Sequence, residues 1–320
     1  MRPPHIVILG LGGVGGYFGG LWTRYAMEHP DQLRVSYLMR PGAHYDRVRS
    51  EGLRISSPRL AVTVVRPSCV TCDPQELGPI DYLVVVTKSY DLADSIRPLQ
   101  PFLTKESAVL PLLNGLDIHE QLRTMLPAEV ECWAGIAYVT ARRTEPGVVE
   151  SHSDNERLYA GSLARPVGSE RTASEERLLR ISQVAGIDLV IPDDPMEEVR
   201  KKFLMLSNSA AATGYYDCGV EGLLGAHRAF VIGLTEELCQ LYRAKGWGIS
   251  DADPVASALR RIDRMPPATT TSMNSDLRNH HQSEVESLVG YVVRESSRLG
   301  LSAPHYEEAY AGILQRIAQQ

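Results

Sequence analysis

His5–Gly20 reads HIVILGLGGVGGYFGG, a short apolar run that dissolves into glycines and then turns helical. Seven of its sixteen residues are Gly, too many for a good strand or helix throughout. Gly10, Gly12 and Gly15 fit G-x-G-x-x-G, directly after a buried strand (His5–Leu9) and at the opening of a helix (Gly13–Glu28). In that setting the first Gly permits a tight turn, the second lets a pyrophosphate approach the backbone, and the third allows close helix–strand packing. Free N–H groups and the helix dipole draw the phosphates in. The segment Gly10, Leu11, Gly12, Gly13, Val14, Gly15 is therefore read as a dinucleotide cradle, the alternative being a glycine-rich turn without a ligand.

The next strand distinguishes between nicotinamide cofactors. NAD readers usually end it with Asp or Glu for the ribose 2′-OH, whereas NADP readers leave room for Arg. Here it ends YLMRPG, with Arg40 and no carboxylate until Asp46. A guanidinium grips a phosphate through parallel hydrogen bonds, so NADPH is favoured; otherwise Arg40 is a solvated strand-end cation.

Further strands are expected at LRISSPRLAVTVV (one or two), DYLVVVT (Asp81–Thr87), SAVLPLL (Ser107–Leu113) and CWAGIAYV (Cys132–Val139). Helical spacing lies between them in DLADSIRPL and Ile118–Met125. Such alternation argues for a doubly wound parallel sheet. Pro146–Gly161 reads as a hairpin appended to that sheet, SEERLLRISQVAG as an amphipathic helix, and IDLVI as a short strand. After Pro195 almost everything is helical apart from DADP and MPPATTT. The best-marked helix starts at Ser283, with Ser283 and Glu286 spaced as a capping box and Gly300 as its stop. The expected division is an α/β domain over 1–194 and a helical domain over 195–320, a length that supports two cores.

With 320 residues, 43% hydrophobic and 22% charged, the composition is that of an ordinary soluble globular protein. A net charge of −6 offers no basic footprint for nucleic acid or anionic lipid. No apolar stretch reaches the ~18 residues a membrane span needs, and the glycine-rich N-terminus is not a signal peptide. Five scattered cysteines, with Cys69 and Cys72 as a lone C-x-x-C, read as buried or semi-exposed free thiols in a reducing cytoplasm. Adjacent His280 and His281 lack the spacing of a ligand pair, so no metal is expected.

Three residues carry possible chemistry. Lys88 follows the apolar run in VVVTKSYD, at the strand end where ligands of open α/β folds gather. Lys202 lies in EEVRKKFLMLSNSAAATG, beside Lys201, and pattern alone leaves it equally readable as part of a basic helical face. Glu284 is either a functional carboxylate or a good helix starter stabilised by the dipole.

In succession GLGGVGG, VVTKSYD, PLLNG, AYVTARRTEPGVV, KKFLMLSNSAAAT and TTSMNSDLRNHHQSEVESLVG resemble the motifs of ketopantoate reductases (2-dehydropantoate 2-reductases) over nearly the whole chain. The resemblance implies a Rossmann domain followed by a helical domain like that of phosphogluconate dehydrogenases. It implies NADPH-dependent reduction of the 2-oxo group of ketopantoate to pantoate, for pantothenate and coenzyme A synthesis. By position it makes Lys202 the general acid and Glu284 the carboxylate working with cofactor and substrate. Ser272 becomes a hydroxyl for the substrate carboxylate, with Asp276 in support. Lys88 and Asn114 are placed beside the cofactor, Asn114 also facing substrate, and Ala141 where backbone touches the nicotinamide half. A homodimer is compatible with C-terminal helices that can pair between subunits or cover one another.

Departures from the family pattern bear on substrate. Asn is usual four and eight residues beyond the acid lysine, where this chain has Leu206 and Ala210; Asn208 points elsewhere on the helix. Arg200 replaces a Trp, and His281 an Arg. These changes leave room for a paralogous reductase of another 2-oxo acid or an imine, and a non-catalytic NADPH-binding regulator is a further alternative. A lysine at its ordinary pKa of about 10.4 is a sluggish donor at neutral pH; burial is expected to lower it, and Glu284 to limit the drop.

Overall fold

A computed structural model of the chain describes residues 2–153 and 156–319. The chain divides into two compact units, Met1–Leu113 with Asp117–Glu198, and Asn114–Leu116 with Val199–Gln320.

In chain order the first unit runs β1 (His5–Leu9), α1 (Gly13–Glu28), β2 (Arg34–Leu38), α2 (Ala43–Glu51), β3 (Leu53–Ser57), β4 (Leu60–Val65), β5 (Cys69–Thr71), β6 (Tyr82–Val85) and α3 (Leu92–Ile96). There follow β7 (Ala108–Pro111), α4 (Ile118–Met125), β8 (Glu131–Tyr138), β9 (Ala141–Glu145), β10 (Val148–Ser151), β11 (Arg157–Ser162), α5 (Ala173–Val184) and β12 (Asp188–Val190). Eight strands form one sheet in the order β12-β11-β8-β7-β6-β1-β2-β5. From β5 to β8 all neighbours are parallel; β11 then runs antiparallel to β8, with β12 parallel to β11. Alternate residues of β1 serve the two faces of the sheet. Ile6 and Ile8 join Tyr17, Phe18 and Leu178 in one core. Val7 and Leu9 join Leu92, Ile96 and Leu122 in the other. Burial on both faces explains why β1 and β6 read as unbroken apolar runs, and it makes the sheet doubly wound as expected.

The stretch Pro146–Gly161 is not a hairpin on this sheet. β10 pairs with β3 and β9 in a separate four-stranded sheet, β4-β3-β10-β9, whereas β11 joins β8. The two strands read as LRISSPRLAVTVV also belong to the small sheet. Alternation marks a strand but not its partner, and the partner here is chosen by α1. A Cβ at Gly16 would come within 2.6 Å of Val149 Cγ2, and one at Gly20 within 2.8 Å of Ile55 Cγ2. These glycines admit the small sheet onto the helix.

The second unit is helical. α6 (Pro195–Tyr216) starts four residues before the division, and α7 (Val220–Leu224), α8 (Arg228–Ala244), α9 (Pro254–Asp263), α10 (Ser272–Arg278), α11 (Tyr291–Arg298) and α12 (Pro304–Ala318) follow. Its core gathers Leu116, Phe203, Leu238, Leu288 and Ile313. The expected capping box is not made. Helical structure begins at Val285, and Glu286–Gly290 is a π-helical turn without a side-chain cap. The Glu286 carboxylate instead accepts from Arg294 and Tyr310. The helix does stop at Gly300, with φ +66°: Leu301 N–H reaches Ser296 O and Gly300 N–H reaches Ser297 O.

All five cysteines are free, Cys72 exposed rather than partly covered. Among the described residues no helix is long and apolar enough to cross a membrane.

Candidate active site

The first unit presents three neighbouring strand ends, those of β6, β1 and β2, on one edge of the sheet. The chain leaves β1 through Gly10, whose φ of +93° belongs to glycine. A Cβ there would lie 3.0 Å from Val86 O, and one at Gly15 2.3 Å from Gly10 O, so the turn and the helix start are pressed together. At Gly12 a Cβ would meet nothing within 4 Å, leaving the backbone approachable from outside. No acid stands in the first turn of α1 and no side chain caps it. Nearby, the buried Thr87 hydroxyl has no hydrogen-bond partner, the kind of group a bound ligand satisfies. These features fit a dinucleotide phosphate.

Arg40 follows β2 with its side chain 84% exposed and Nη1 3.3 Å from Asp91 Oδ2. So exposed a pair contributes about 0–1 kcal/mol, and its guanidinium is readily recruited by a stronger anion. Lys88 is half-buried at the end of β6. Ala141 opens β9, and its carbonyl oxygen lies only 2.0 Å from where a Gly13 Cβ would stand. The missing Cβ at Gly13 thus admits strand β9 and leaves its backbone N–H in the loop. One residue of this edge had no signal in the sequence. His44 accepts from Gly147 N–H at Nδ1, 2.8 Å, so its proton sits on Nε2 and is donated to Leu11 O, 2.8 Å. Burial pushes its pKa down, keeping the ring neutral while it ties the glycine loop to the β9–β10 turn.

In the second unit α6 carries Lys202, half-buried. Tyr242 on α8 donates to Arg200 O at 3.1 Å, and Arg200 Nε donates to Gly248 O at 3.1 Å, pinning the helix just before the lysine. Burial pushes the Lys202 pKa down to about 8, while the charge of Glu284 opposes the drop. Glu284, 5% exposed, stands immediately before Val285 at the start of the π-helical turn. Glu284 therefore acts electrostatically on Lys202.

Ser272 is exposed at the first turn of α10. The preceding Thr271 caps that helix and shares a 2.8 Å hydrogen bond with Thr213 of α6. Thr213 lies about 16 Å along α6 from Lys202, so this link fixes α10 to the far end of that helix. Half-buried Asp276 accepts His281 N–H at its carbonyl, 2.9 Å, where the chain turns through His280 at φ +55°. Asn114, half-buried, belongs to the same unit as Lys202. On α6, Leu206 is a partly buried apolar group and Ala210 is wholly buried in the core. Asn208 donates to Thr235 of α8 at 2.8 Å and is used up there.

A glycine cradle on a parallel sheet, and a helical unit carrying a lysine with lowered pKa under the charge of a buried carboxylate, define the class of pyridine-nucleotide-dependent oxidoreductases. The profile described as ketopantoate reductase PanE/ApbA matches residues 6–165, and that of its C-terminal domain residues 194–316. The chain belongs to the ketopantoate reductase family. It is 29% identical over 94% of its length to the 2-dehydropantoate 2-reductase of Halobacterium salinarum, covering 94% of that protein. The crystal structure of 2-dehydropantoate 2-reductase from Porphyromonas gingivalis superposes with a TM-score of 0.84 at 35% identity, covering 98% of this chain and all of that one. D-mandelate dehydrogenase, in a ternary structure with NADH and anilino(oxo)acetate, shares the fold at 17% identity and a TM-score of 0.82, over 98% of this chain and 99% of its own.

Proposed function

We propose that this chain reduces the 2-oxo group of ketopantoate to pantoate with NADPH, in the synthesis of pantothenate and coenzyme A, with Lys202 as proton donor. The observation that carries this reading is the Lys202–Glu284 pair, a half-buried ammonium whose pKa is brought down to about 8. On this reading residues 1–194 bind the nucleotide and 195–320 the substrate.

Gly10–Gly15 and the start of α1 would hold the pyrophosphate, Arg40 the 2′-phosphate, and Lys88, Asn114 and Ala141 the remainder of the nucleotide. Bound, a reduced nicotinamide supplies hydride to the carbonyl carbon. As that carbon is reduced, negative charge grows on its oxygen. The Lys202 ammonium stabilises the charge and delivers the proton. Glu284 keeps the amine protonated at neutral pH despite its burial. Ser272 and Asn114 hold the substrate, Asp276 supporting the helix that carries Ser272.

Steady-state kinetics with ketopantoate, comparing NADPH with NADH, test the reading; tight NADPH binding with no turnover of any 2-oxo acid would overturn it. Two outcomes are specific. Arg40→Ala should lower the NADPH-over-NADH preference in kcat/KM by about 10-fold, the loss of one charge-assisted contact, and leave NADH kinetics nearly unchanged. Since reduction needs the lysine protonated, kcat/KM should be flat below pH 7 and fall as pH rises through about 8; the reverse oxidation should show the opposite limb.

A second reading, reduction of a 2-oxo acid with an apolar tail, is favoured by partly exposed Leu206.

A further inference from the structure

Ser207 behaves unlike its neighbours on α6. Inside a helix a Ser or Thr usually bonds back to the carbonyl four residues earlier. Ser209 does so to Met205 O at 2.7 Å, and Thr213 to Ser209 O at 2.8 Å. The Ser207 hydroxyl instead leaves its helix and donates to Leu288 O at 2.7 Å. Tyr306 Oη of α12 is also 2.7 Å from Ser207 Oγ. Serine has a single proton and the carbonyl can only accept, so Tyr306 must donate to Ser207. Both side chains are fully buried, so water cannot replace either bond.

Leu288 sits inside the π-helical turn Glu286–Gly290, where Tyr291 N–H reaches back five residues to Glu286 O. A π turn is a rare, wide geometry, frequent at functional sites. Leu288 N–H donates to Glu284 O at 3.0 Å, and Ser287 Oγ to the same carbonyl at 3.2 Å. The links close a circuit: Lys202 to Ser207 along α6, Ser207 to Leu288, Leu288 to Glu284, and Glu284 back to Lys202 by charge.

We propose that Ser207 is a positioning residue: its hydroxyl, oriented by Tyr306, fixes the π-helical turn and with it the position of Glu284, whose charge acts on Lys202. The inference rests on the reading of Lys202 as proton donor. Glu284 is the charge that acts on Lys202; Glu198 and Lys201 flank the lysine on α6, and Asp276 stands on α10. Other acids of the unit are held elsewhere. Glu286 bonds Arg294 and Tyr310, and Glu295 bonds Lys245 and Arg298. Glu237 holds His305 and Tyr306 N–H, and Asp217 holds Arg278 and Arg316.

The test is the pH profile of kcat/KM for 2-oxo acid reduction in the full-length protein, for Ser207→Ala, Tyr306→Phe, Ser207→Thr and Glu284→Gln. Ser207→Ala should move the basic limb to lower pH, in the direction of Glu284→Gln and by less, so that activity relative to wild type falls more at pH 8 than at pH 6.5. Tyr306→Phe should give a smaller shift of the same sign, and Ser207→Thr should restore the wild-type limb. Should Ser207→Ala not fold, the Tyr306→Phe limb decides. A limb that moves in Glu284→Gln but stays at the wild-type pH in the Ser207 and Tyr306 variants overturns this inference alone, whatever the turnover. A limb unmoved in Glu284→Gln overturns the proton-donor reading and the inference with it.

Discussion

Replacing Lys202 with Ala is expected to lower turnover of the 2-oxo acid by about 10²–10⁴-fold, the range removed with a general acid, and to leave NADPH affinity nearly unchanged. The affinity should survive because the glycine cradle and Arg40 belong to the first compact unit, whereas Lys202 lies in the second. Lys202→Arg separates the lysine's two tasks. Arginine keeps a positive charge but holds its proton to pH above ~12, so it can stabilise the growing oxyanion and cannot deliver the proton. Its activity should lie between those of alanine and wild type, with the limb near pH 8 abolished. Turnover would be read by NADPH absorbance and affinity by fluorescence titration. An alanine variant with full turnover removes Lys202 from the mechanism.

Much of this architecture is legible in the sequence because local pattern and tertiary role coincide. His5–Leu9 and Gly13–Glu28 form the strand and helix expected of them, since a run buried on both faces and a Gly-rich helix start each have one good solution. The small sheet was not legible. Its strands alternate as any strand does, and what assigns them to α1 is the pair of bare surfaces at Gly16 and Gly20. Those glycines sit in the same stretch as the cradle, so a motif that accounts for Gly10, Gly12 and Gly15 conceals the packing purpose of the rest.

The chemistry divides in the same way. Charge and spacing mark Lys202 and Glu284 but cannot tell a solvated face from an interacting pair; the burial of Glu284 and its charge acting on Lys202 are tertiary facts. His44 and Ser207 carry no signal at all. Each bonds a carbonyl far along the chain and a second partner, and no periodicity records such bonds. The failed capping box has a related cause: Ser283 and Glu286 are correctly spaced, but Arg294 and Tyr310 offer the carboxylate a charged and a phenolic donor that outcompete a backbone N–H.

The tail of the substrate is where the largest change of preference should be found. Beyond Lys202 the polar side chains of α6 are committed internally: Ser207 to Leu288, Asn208 to Thr235, Ser209 to Met205 and Thr213 to Thr271. What remains beside the lysine is Met205 and Leu206, both apolar and partly exposed, with Ala210 sealed in the core. Such a surface cannot read a hydroxyl. A site built to hydrogen-bond an OH rejects the analogue lacking it by about 10⁴-fold or more, whereas an apolar site tells the two apart by only about 10²-fold. Trimethylpyruvate, which is ketopantoate with hydrogen in place of its hydroxyl, provides the matched pair. The wild-type chain should reduce it at least as efficiently as ketopantoate by kcat/KM. Leu206→Asn, which restores an amide one turn beyond the lysine, should shift the ratio toward ketopantoate by about 10–100-fold, the worth of a hydrogen bond to a neutral group with its desolvation. A wild-type preference for ketopantoate above about 10³-fold would show that some other group reads the hydroxyl, and that Leu206 does not line the substrate tail.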